Sequence, residues 1–290
     1  MAKSEIPKGL DTVKPLHKMS ALPLKLLNSI NIGPLGGDNA ISVIIETVLA
    51  KKRGEEPEYD LSKTERFFVN QLAKTDIPPQ VVDYRAISIE AQEELLSRFG
   101  HETLGIIWIG AGVFTLAHPL MSKNQDNNWH IWTDSSPRVV HSALKAFSKM
   151  QNKNKVAKLS HTIELPQDGP RLNDWIRFLS DHVDRIIVMG YGVNYALTPA
   201  ENHQWLQAID QSSLNLPLHF VFNSPAEKIK FLPGLIAAFH NQRMVYYTRD
   251  DIERLFRASF PEARIAWEKK RSESDSKVWE AWIIDVQSPS

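Results

Sequence analysis

From Leu104 onward, short apolar runs alternate with amphipathic segments of about a dozen residues. This alternation is typical of a parallel β-sheet covered by helices, because each connection between parallel strands must cross back over the sheet. Seven strands are predicted at Gly105–Ile109, Trp129–Thr133, Val156–Ile163, Arg185–Met189, Pro217–Phe222, Ala263–Glu268 and Lys277–Val286. The predicted intervening helices are Phe114–Met121, Pro137–Lys149, Arg171–Leu179, Pro199–Gln211 and Arg249–Ala258.

The connection between the last two predicted strands differs from the others because it contains no helix. Its sequence, KKRSESDS, is polar and is predicted to be a hairpin loop. A loop of this kind cannot make the crossover that joins two parallel strands. We therefore expect the seventh strand to run antiparallel to the sixth or to insert beside it.

The first part of the chain is predicted to be helical and shows no convincing buried strand. Asp38 can cap a helix that ends near Gly54, a second helix runs from Ser62 to about Lys74, and a third segment ends at Gly100. We predict two parts: an N-terminal helical cap of residues 1–103 over the C-terminal edge of the sheet, and a Rossmann-like α/β domain of residues 104–290.

Charge and hydropathy exclude several classes of protein. Lys and Arg together number 34, as do Asp and Glu, so the formal net charge is zero and a general nucleic-acid binder is not expected. No run of about 18 apolar residues occurs, so no membrane span is expected. The N-terminus, MAKSEIPKGLDTVKPLHKMS, lacks the apolar core of a secretory signal, and we expect a cytoplasmic protein.

Cysteine and histidine usage restricts the possible chemistry. Cysteine is absent, which excludes a thiolate zinc site and a cysteine nucleophile and fits a reducing compartment. The 10 histidines form no HxH, HxxxH or HExxH pattern, so no metal site is predicted.

The segment LGIIWIGAGVF carries the main functional signal. An apolar strand ends at Ile109, and Gly110 and Gly112 then allow the backbone to turn sharply and lie against a ligand. Asp134 ends the next predicted strand, where a carboxylate can accept hydrogen bonds from both ribose hydroxyls of an adenosine cofactor. The pattern favours a cofactor site, and the structural alternative is a tight βα turn with a helix-capping Asp.

The glycine pattern also bears on the choice of cofactor. Dinucleotide sites usually have GxGxxG, but Thr115 occupies the third glycine position here. S-adenosylmethionine has no phosphate and needs only the looser glycine turn, the ribose carboxylate and a contact with its amino-acid end. We therefore favour S-adenosylmethionine, while a nicotinamide-dependent oxidoreductase remains the alternative that the GxG turn and Asp134 allow.

Several stretches resemble those of a known family. They are VVDYRAISIE, IIWIGAGVF, HIWTDSSPRVVHSALKAF, DRIIVMGYGVNYALTPAENHQWLQAI and, more weakly, TIELPQDGPRLNDW. The chain resembles class I S-adenosylmethionine-dependent methyltransferases, and within them the leucine carboxyl methyltransferase-like O-methyltransferase group. The resemblance covers residues 80–286 and implies a Rossmann-like seven-stranded methyltransferase sheet with a C-terminal β-hairpin.

The resemblance also implies a set of cofactor-binding residues. Arg85 falls where the family arginine grips the carboxylate of the methionine moiety, and Glu164 falls near the adenine. The other implied cofactor residues are Gly110, Ala111, Gly112, Asp134, Ser135 and Gly190. Trp108, Phe114–Leu116 and Gly190 replace polar residues of the family pattern, which marks a divergent member.

Acceptor-binding residues are predicted in two connections. In the first, Tyr191 and Asn194 follow the fourth strand and could orient the acceptor, although a glycine-rich turn is the structural alternative. In the second, His240 lies in the long apolar connection Asn223–Thr248 and could act as a general base or be structural.

We therefore expect a methyltransferase that uses S-adenosylmethionine to methylate a small-molecule acceptor at a carboxylate or hydroxyl oxygen, in a biosynthetic pathway. Two alternatives stay open: a degenerate cofactor-binding protein without catalysis, and the nicotinamide-dependent oxidoreductase.

Overall fold

The fold was analysed in a computed structural model of the chain. It describes residues 40–52, 54, 61–76, 79–110, 128–135, 137, 140–141, 160–162, 165–190, 193–194, 197–209, 216–225, 247–271 and 279–287.

Three helices precede the sheet in the described part of the chain, as the sequence predicted. They are α1 (Ala40–Lys52), α2 (Lys63–Leu72) and α3 (Pro79–Phe99). The helix α2 begins where predicted because Ser62 caps it: the Ser62 hydroxyl accepts from the Glu65 amide, and the Glu65 carboxylate accepts from the Ser62 amide. Ile44, Val48 and Val69 form a small apolar cluster between α1 and α2. The proposed cap at Asp38 lies outside the described residues.

Seven strands form one sheet in the order β3-β2-β1-β4-β5-β7-β6. The strands are β1 (Leu104–Ile109), β2 (Trp129–Asp134), β3 (Ser160–Thr162), β4 (Arg185–Gly190), β5 (Leu218–Pro225), β6 (Arg264–Arg271) and β7 (Trp279–Gln287). The pairs among β1 to β5 are parallel, whereas β7 is antiparallel to both β5 and β6. The antiparallel insertion of the last strand is confirmed.

Strand β6 is longer at its C-terminal end than the sequence suggested. Lys269, Lys270 and Arg271 were predicted to lie in the loop but belong to β6, where they pair with β7 from Trp282 to Glu280. Pairing with a partner strand supplies the backbone hydrogen bonds, so these polar residues extend the strand despite their composition.

Helices α4 (Gly169–Ser180), α5 (Pro199–Gln207) and α6 (Arg249–Ser259) cover one face of the sheet. Their apolar residues share a core cluster with strand residues such as Ile107, Val188 and Phe220. Residues 137, 140 and 141 are helical, within the predicted helix Pro137–Lys149. The predicted helix Phe114–Met121 lies outside the described residues.

The opposite face is covered in part by α3, which packs against β7 and β6. Its last residue, Phe99, contacts His219, which points away from the face that its neighbours Leu218 and Phe220 share. Phe99 also packs against Arg185, the first residue of β4, and His219 is the second residue of β5, so the C-terminal end of α3 lies at the amino edge of the sheet. This part of residues 1–103 therefore packs on a face of the sheet and does not cover its C-terminal edge. The role of the earlier residues as a cap stays a prediction.

An ionic network ties the strands together at that amino edge. The Arg185 guanidinium donates two hydrogen bonds to the Glu102 carboxylate, at 2.7 and 3.0 Å, and contacts His219 Nε2 at 2.9 Å. Arginine can only donate, so His219 Nε2 accepts, and His219 Nδ1 donates to Asp285 Oδ1 at 2.6 Å. The network joins β4, β5, β7 and the segment that enters β1.

We predict that Arg185→Met lowers the free energy of unfolding by about 2–3 kcal/mol, because it removes the donor to buried His219 and two charged hydrogen bonds. The control is Arg257→Met, which breaks the exposed pair with Glu253 on α6 and is expected to cost less than about 0.5 kcal/mol. Urea unfolding measures both. Equal losses in the two variants would show that the amino-edge network is not a major source of stability.

A buried histidine on β2 makes the stability of the sheet depend on pH. His130 Nδ1 accepts a hydrogen bond from Trp108 Nε1 at 3.2 Å, and burial lowers the pKa of His130 from 6.5 to about 4. The imidazole therefore stays neutral in the folded protein. Below about pH 6.5 the unfolded chain takes up a proton that the folded chain does not, so stability falls as the pH falls.

We predict that His130→Gln, which keeps an acceptor for Trp108, makes unfolding less sensitive to pH. Between pH 6.5 and about 4, the wild-type protein is expected to lose about 3 kcal/mol more stability than the variant. Urea unfolding across this pH range measures the difference. Parallel pH curves for the two proteins would contradict the prediction.

Candidate functional site

The order of the strands places the switch point of the sheet between β1 and β4, where open α/β sheets have their ligand crevice. From β1 the chain proceeds outward to β2 and β3, and then returns to place β4 on the other side of β1. At such a switch point the connections that leave the two central strands diverge, and ligands of open α/β sheets bind there, at the carboxyl ends. The register places Ile109 of β1 opposite Gly190 of β4 and Thr133 of β2.

Gly110 is the first residue after β1, and its backbone has a φ of 64°. A side chain is strained in this left-handed region, so glycine suits the position. The first residue of the predicted glycine turn therefore has the conformation that a sharp turn requires. Ala111 and Gly112 lie outside the described residues.

Asp134 is the last residue of β2 and lies beside Gly110 at the carboxyl edge. Just before it, the Thr133 hydroxyl donates to the Trp108 carbonyl at 2.7 Å and fastens the ends of β1 and β2 together. Because neighbouring strands are about 4.8 Å apart, the first residues beyond this bond lie close to each other. Asp134 is partly exposed, and Ser135 is exposed. Both predicted cofactor residues thus lie at the carboxyl edge of the sheet.

Gly190 and Asn194 pack against each other at the end of β4. A Cβ atom at position 190 would lie only 2.5 Å from Asn194 Nδ2, so the absence of a side chain makes room for the amide. Asn194 is 2% exposed, and its buried Nδ2 has no hydrogen-bond partner in the structure. A buried donor without a partner costs about 1–3 kcal/mol, and a ligand that accepts from it would recover this energy.

The other predicted site residues are only partly placed. Arg85 lies on α3, fourteen residues before Phe99, and its side chain is outside the described part of the chain. The helix packs against β7 and β6, which β4 and β5 separate from β1. The placement of Arg85 at the cofactor therefore stays a prediction. Tyr191, Glu164 and His240 lie outside the described residues.

The structure adds three residues that the sequence analysis did not assign to the site: Asn202, Trp205 and Tyr247. Asn202 on α5 is fully buried, and its side chain binds the loop after β4. The sequence signal for it was a polar residue on the same inward stripe of a helix as Trp205, three positions later. Tyr247 is also buried and contacts Asn202.

Within the described ranges, no group of three or more His, Asp or Glu side chains is arranged to hold a metal ion. No described helix is both long and apolar enough to cross a membrane.

No protein-family model matches the chain, and no curated protein matches it. Solved structures do match it. A proposed methyltransferase from Thermobifida fusca YX has 15% identity and a TM-score of 0.56, covering 99% of this chain and 100% of its own. A DUF574 family protein from Streptomyces avermitilis MA-4680 has 13% identity and a TM-score of 0.56, with coverages of 83% and 96%. A candidate exported protein from Bordetella parapertussis has 12% identity and a TM-score of 0.50, with coverages of 85% and 78%.

At these identities the similarity establishes the fold alone. The chain is a mixed α/β protein whose Rossmann-like fold is similar to that of a proposed methyltransferase. None of the three proteins is described as a leucine carboxyl methyltransferase, so the closer resemblance stays a prediction.

We predict that Gly190→Ala destabilises the protein by about 1–3 kcal/mol, because the new methyl group would overlap the Asn194 amide. Adding Asn194→Ala should restore most of this loss. The control is Gly105→Ala near the amino end of β1, where the new methyl group meets Leu179 and Val183. Its cost should be additive with Asn194→Ala. Urea unfolding of both double-mutant cycles measures the coupling, and additivity at Gly190 would contradict the contact.

Proposed function

We propose that this protein is an S-adenosylmethionine-dependent methyltransferase that methylates a small molecule at a carboxylate or hydroxyl oxygen. The observation that carries the proposal is the pairing of a left-handed Gly110 with Asp134 on adjacent strand ends, at the switch point of the sheet. The similarity in fold to a proposed methyltransferase supports it.

The residues at the crevice fit this cofactor. Gly110 lets the backbone approach the cofactor, and the Asp134 carboxylate accepts hydrogen bonds from the ribose hydroxyls, with Ser135 beside it. Arg85 suits a bidentate contact with the methionine carboxylate. The remaining assigned residues are Ala111 and Gly112 in the turn, Glu164 near the adenine and Gly190 at the end of β4.

The protein's own task is to position the acceptor. S-adenosylmethionine supplies a methyl group on a positively charged sulfur, so the chain must align the accepting oxygen with it and exclude water. The unpartnered Asn194 amide can donate a hydrogen bond to an acceptor oxygen. Tyr191 is assigned to orient the same acceptor, and His240 is assigned to take the proton when the acceptor is a hydroxyl.

Two other functions make different predictions. A degenerate protein would bind the cofactor without transferring the methyl group, and Gly190 in place of the glutamate of the resembled family favours this alternative. A nicotinamide-dependent oxidoreductase is favoured by Gly110 and Asp134 and disfavoured by Thr115, which replaces the glycine of dinucleotide sites.

Ligand-binding and transfer assays separate the three functions. Thermal unfolding with S-adenosylmethionine, S-adenosylhomocysteine or NAD identifies the cofactor, because a ligand that binds only the folded state raises the melting temperature. Transfer of a labelled methyl group to a panel of small carboxylic acids and phenols then tests catalysis. Stabilisation by NAD alone would refute the proposal. Stabilisation by S-adenosylhomocysteine without transfer to any tested acceptor would favour the degenerate protein.

We predict that Asp134→Ala weakens the binding of S-adenosylhomocysteine by about 1.5–3 kcal/mol, the range for losing hydrogen bonds to a charged group. Isothermal titration calorimetry measures the change. The matched control is Asp181→Ala, which removes an exposed carboxylate at the end of α4, on the opposite edge of the sheet. An unchanged affinity in Asp134→Ala would rule out this placement of the ribose.

A further inference from the structure

Buried side chains from α5 and from the residue before α6 hydrogen-bond to the backbone of the loop between β4 and α5. Asn202 on α5 donates one hydrogen bond from Nδ2 to the Asn194 carbonyl at 2.9 Å and another to the Tyr247 hydroxyl at 2.8 Å. Its Oδ1 accepts from Trp205 Nε1 at 2.9 Å. The Asn202 amide therefore uses both donors and its acceptor, which fixes its orientation.

Tyr247 completes the same arrangement from the other side. Its hydroxyl accepts from Asn202 and donates to the Leu197 carbonyl at 2.9 Å. Burial raises the pKa of the Tyr247 phenol, so the hydroxyl keeps the proton that this bond needs. Asn202 and Tyr247, supported by Trp205, form what we call the loop clamp. It holds two backbone carbonyls of one loop three residues apart.

Two helix starts leave the clamp little freedom to move. Thr198 caps α5 immediately after the loop, with Glu201 as its capping-box partner. Thr248 caps α6 immediately after Tyr247, with Asp251 as its partner. Each cap fixes the backbone of its helix entry, so the clamp joins two rigid points. It therefore ties the loop after β4 to the end of the connection between β5 and α6.

The loop clamp and the Asn194 side chain differ in whether their hydrogen-bonding groups have partners. The hydrogen-bonding groups of Asn202 and the Tyr247 hydroxyl are satisfied, whereas the Asn194 side chain, whose own backbone carbonyl is clamped, keeps a buried Nδ2 without a partner. Satisfied buried networks are rigid, so they can hold an unsatisfied group in one place. Gly190 provides the surface against which that group is held.

We propose that Asn202 and Tyr247 are positioning residues for the ligand site: by clamping the loop after β4, they hold the Asn194 amide on Gly190 as a preorganised donor for a lone-pair atom of a bound ligand. The role of the amide in binding a methyl acceptor rests on the proposed function. The positioning of the amide can be tested in the protein without any ligand.

The test compares two variants that each lose one buried hydroxyl. Tyr247→Phe removes the hydroxyl that donates to the Leu197 carbonyl and accepts from Asn202 Nδ2. Ser259→Ala is the matched control, because the Ser259 hydroxyl contacts His203 and the Leu255 carbonyl on the same face of the sheet and does not contact the loop. Both variants should lose a similar free energy of unfolding in urea. A difference between them in the Asn194 signal therefore reports the position of the Asn194 amide and not a general loss of stability.

The first measurement is the side-chain amide signal of Asn194 in nitrogen-15 NMR spectra of the ligand-free protein, assigned by its disappearance in Asn194→Ala. Tyr247→Phe is expected to shift or broaden this signal, whereas Ser259→Ala should leave it in place. If Tyr247→Phe does not fold, Trp205→Phe, which removes the hydrogen bond to Asn202 Oδ1 and leaves a smaller ring in the core, should give a smaller shift in the same signal. An Asn194 signal that responds no more to the folded clamp variant than to Ser259→Ala would overturn the proposal.

The second measurement is the KM for whichever carboxylic acid or phenol of the panel is methylated. We expect this KM to rise by about threefold to tenfold in Tyr247→Phe, the equivalent of about one misplaced hydrogen bond, and to stay unchanged in Ser259→Ala, while the Kd for S-adenosylhomocysteine stays unchanged in both. If no compound of the panel is methylated but the Asn194 signal still responds to the clamp, the proposed function fails and the positioning stands. An equal change of KM in both variants would show that the clamp contributes stability alone.

Discussion

The parallel pairing of β1 with β4 is the constraint on which the rest of the molecule depends. It places β1 and β4 side by side in the sheet, although β2 and β3 come between them in the sequence. It also sets Ile109 opposite Gly190. Gly110 follows β1 and Asp134 ends the neighbouring β2. Gly190 ends β4, and Asn194 lies in the loop after it.

The two edges of the sheet are held in different ways. At the amino edge, Glu102, Arg185, His219 and Asp285 form a continuous chain of hydrogen bonds that joins three strands and the entry to β1. At the carboxyl edge, a left-handed glycine, a partly exposed carboxylate and an unpartnered amide lie together. The saturated network favours stability, whereas the Asn194 Nδ2 donor lacks a partner that a ligand can supply, so the two requirements are met at opposite ends of the strands.

The loop after β4 shows how the two requirements meet. Its backbone is fastened by Asn202 and Tyr247, which come from α5 and from the residue before α6. The side chain of Asn194 is thereby held on Gly190 without a hydrogen-bond partner for its Nδ2. A preorganised donor loses less entropy on binding than a mobile one does, and this is the physical advantage of clamping the loop from behind.

The sequence by itself determined the elements and the class of fold. Apolar periodicity located the strands, Ser62 marked the start of α2, and the polar segment after β6 required an antiparallel last strand. These features depend on neighbours along the chain, which a single sequence displays. The sequence also pointed to Gly110, Asp134 and Asn194 as site residues, because strand ends and glycine turns have local signatures.

Only the tertiary structure decided which residues act on one another. Lys269–Arg271 extend β6 because β7 pairs with them. The polar sequence around these residues does not predict that pairing. The clamp on Asn194 comes from Asn202 and Tyr247, 8 and 53 residues further along the chain, and the packing of Asn194 on Gly190 depends on that arrangement. Contacts between distant residues are set by strand order and helix packing, so their geometry exists only once the chain has folded.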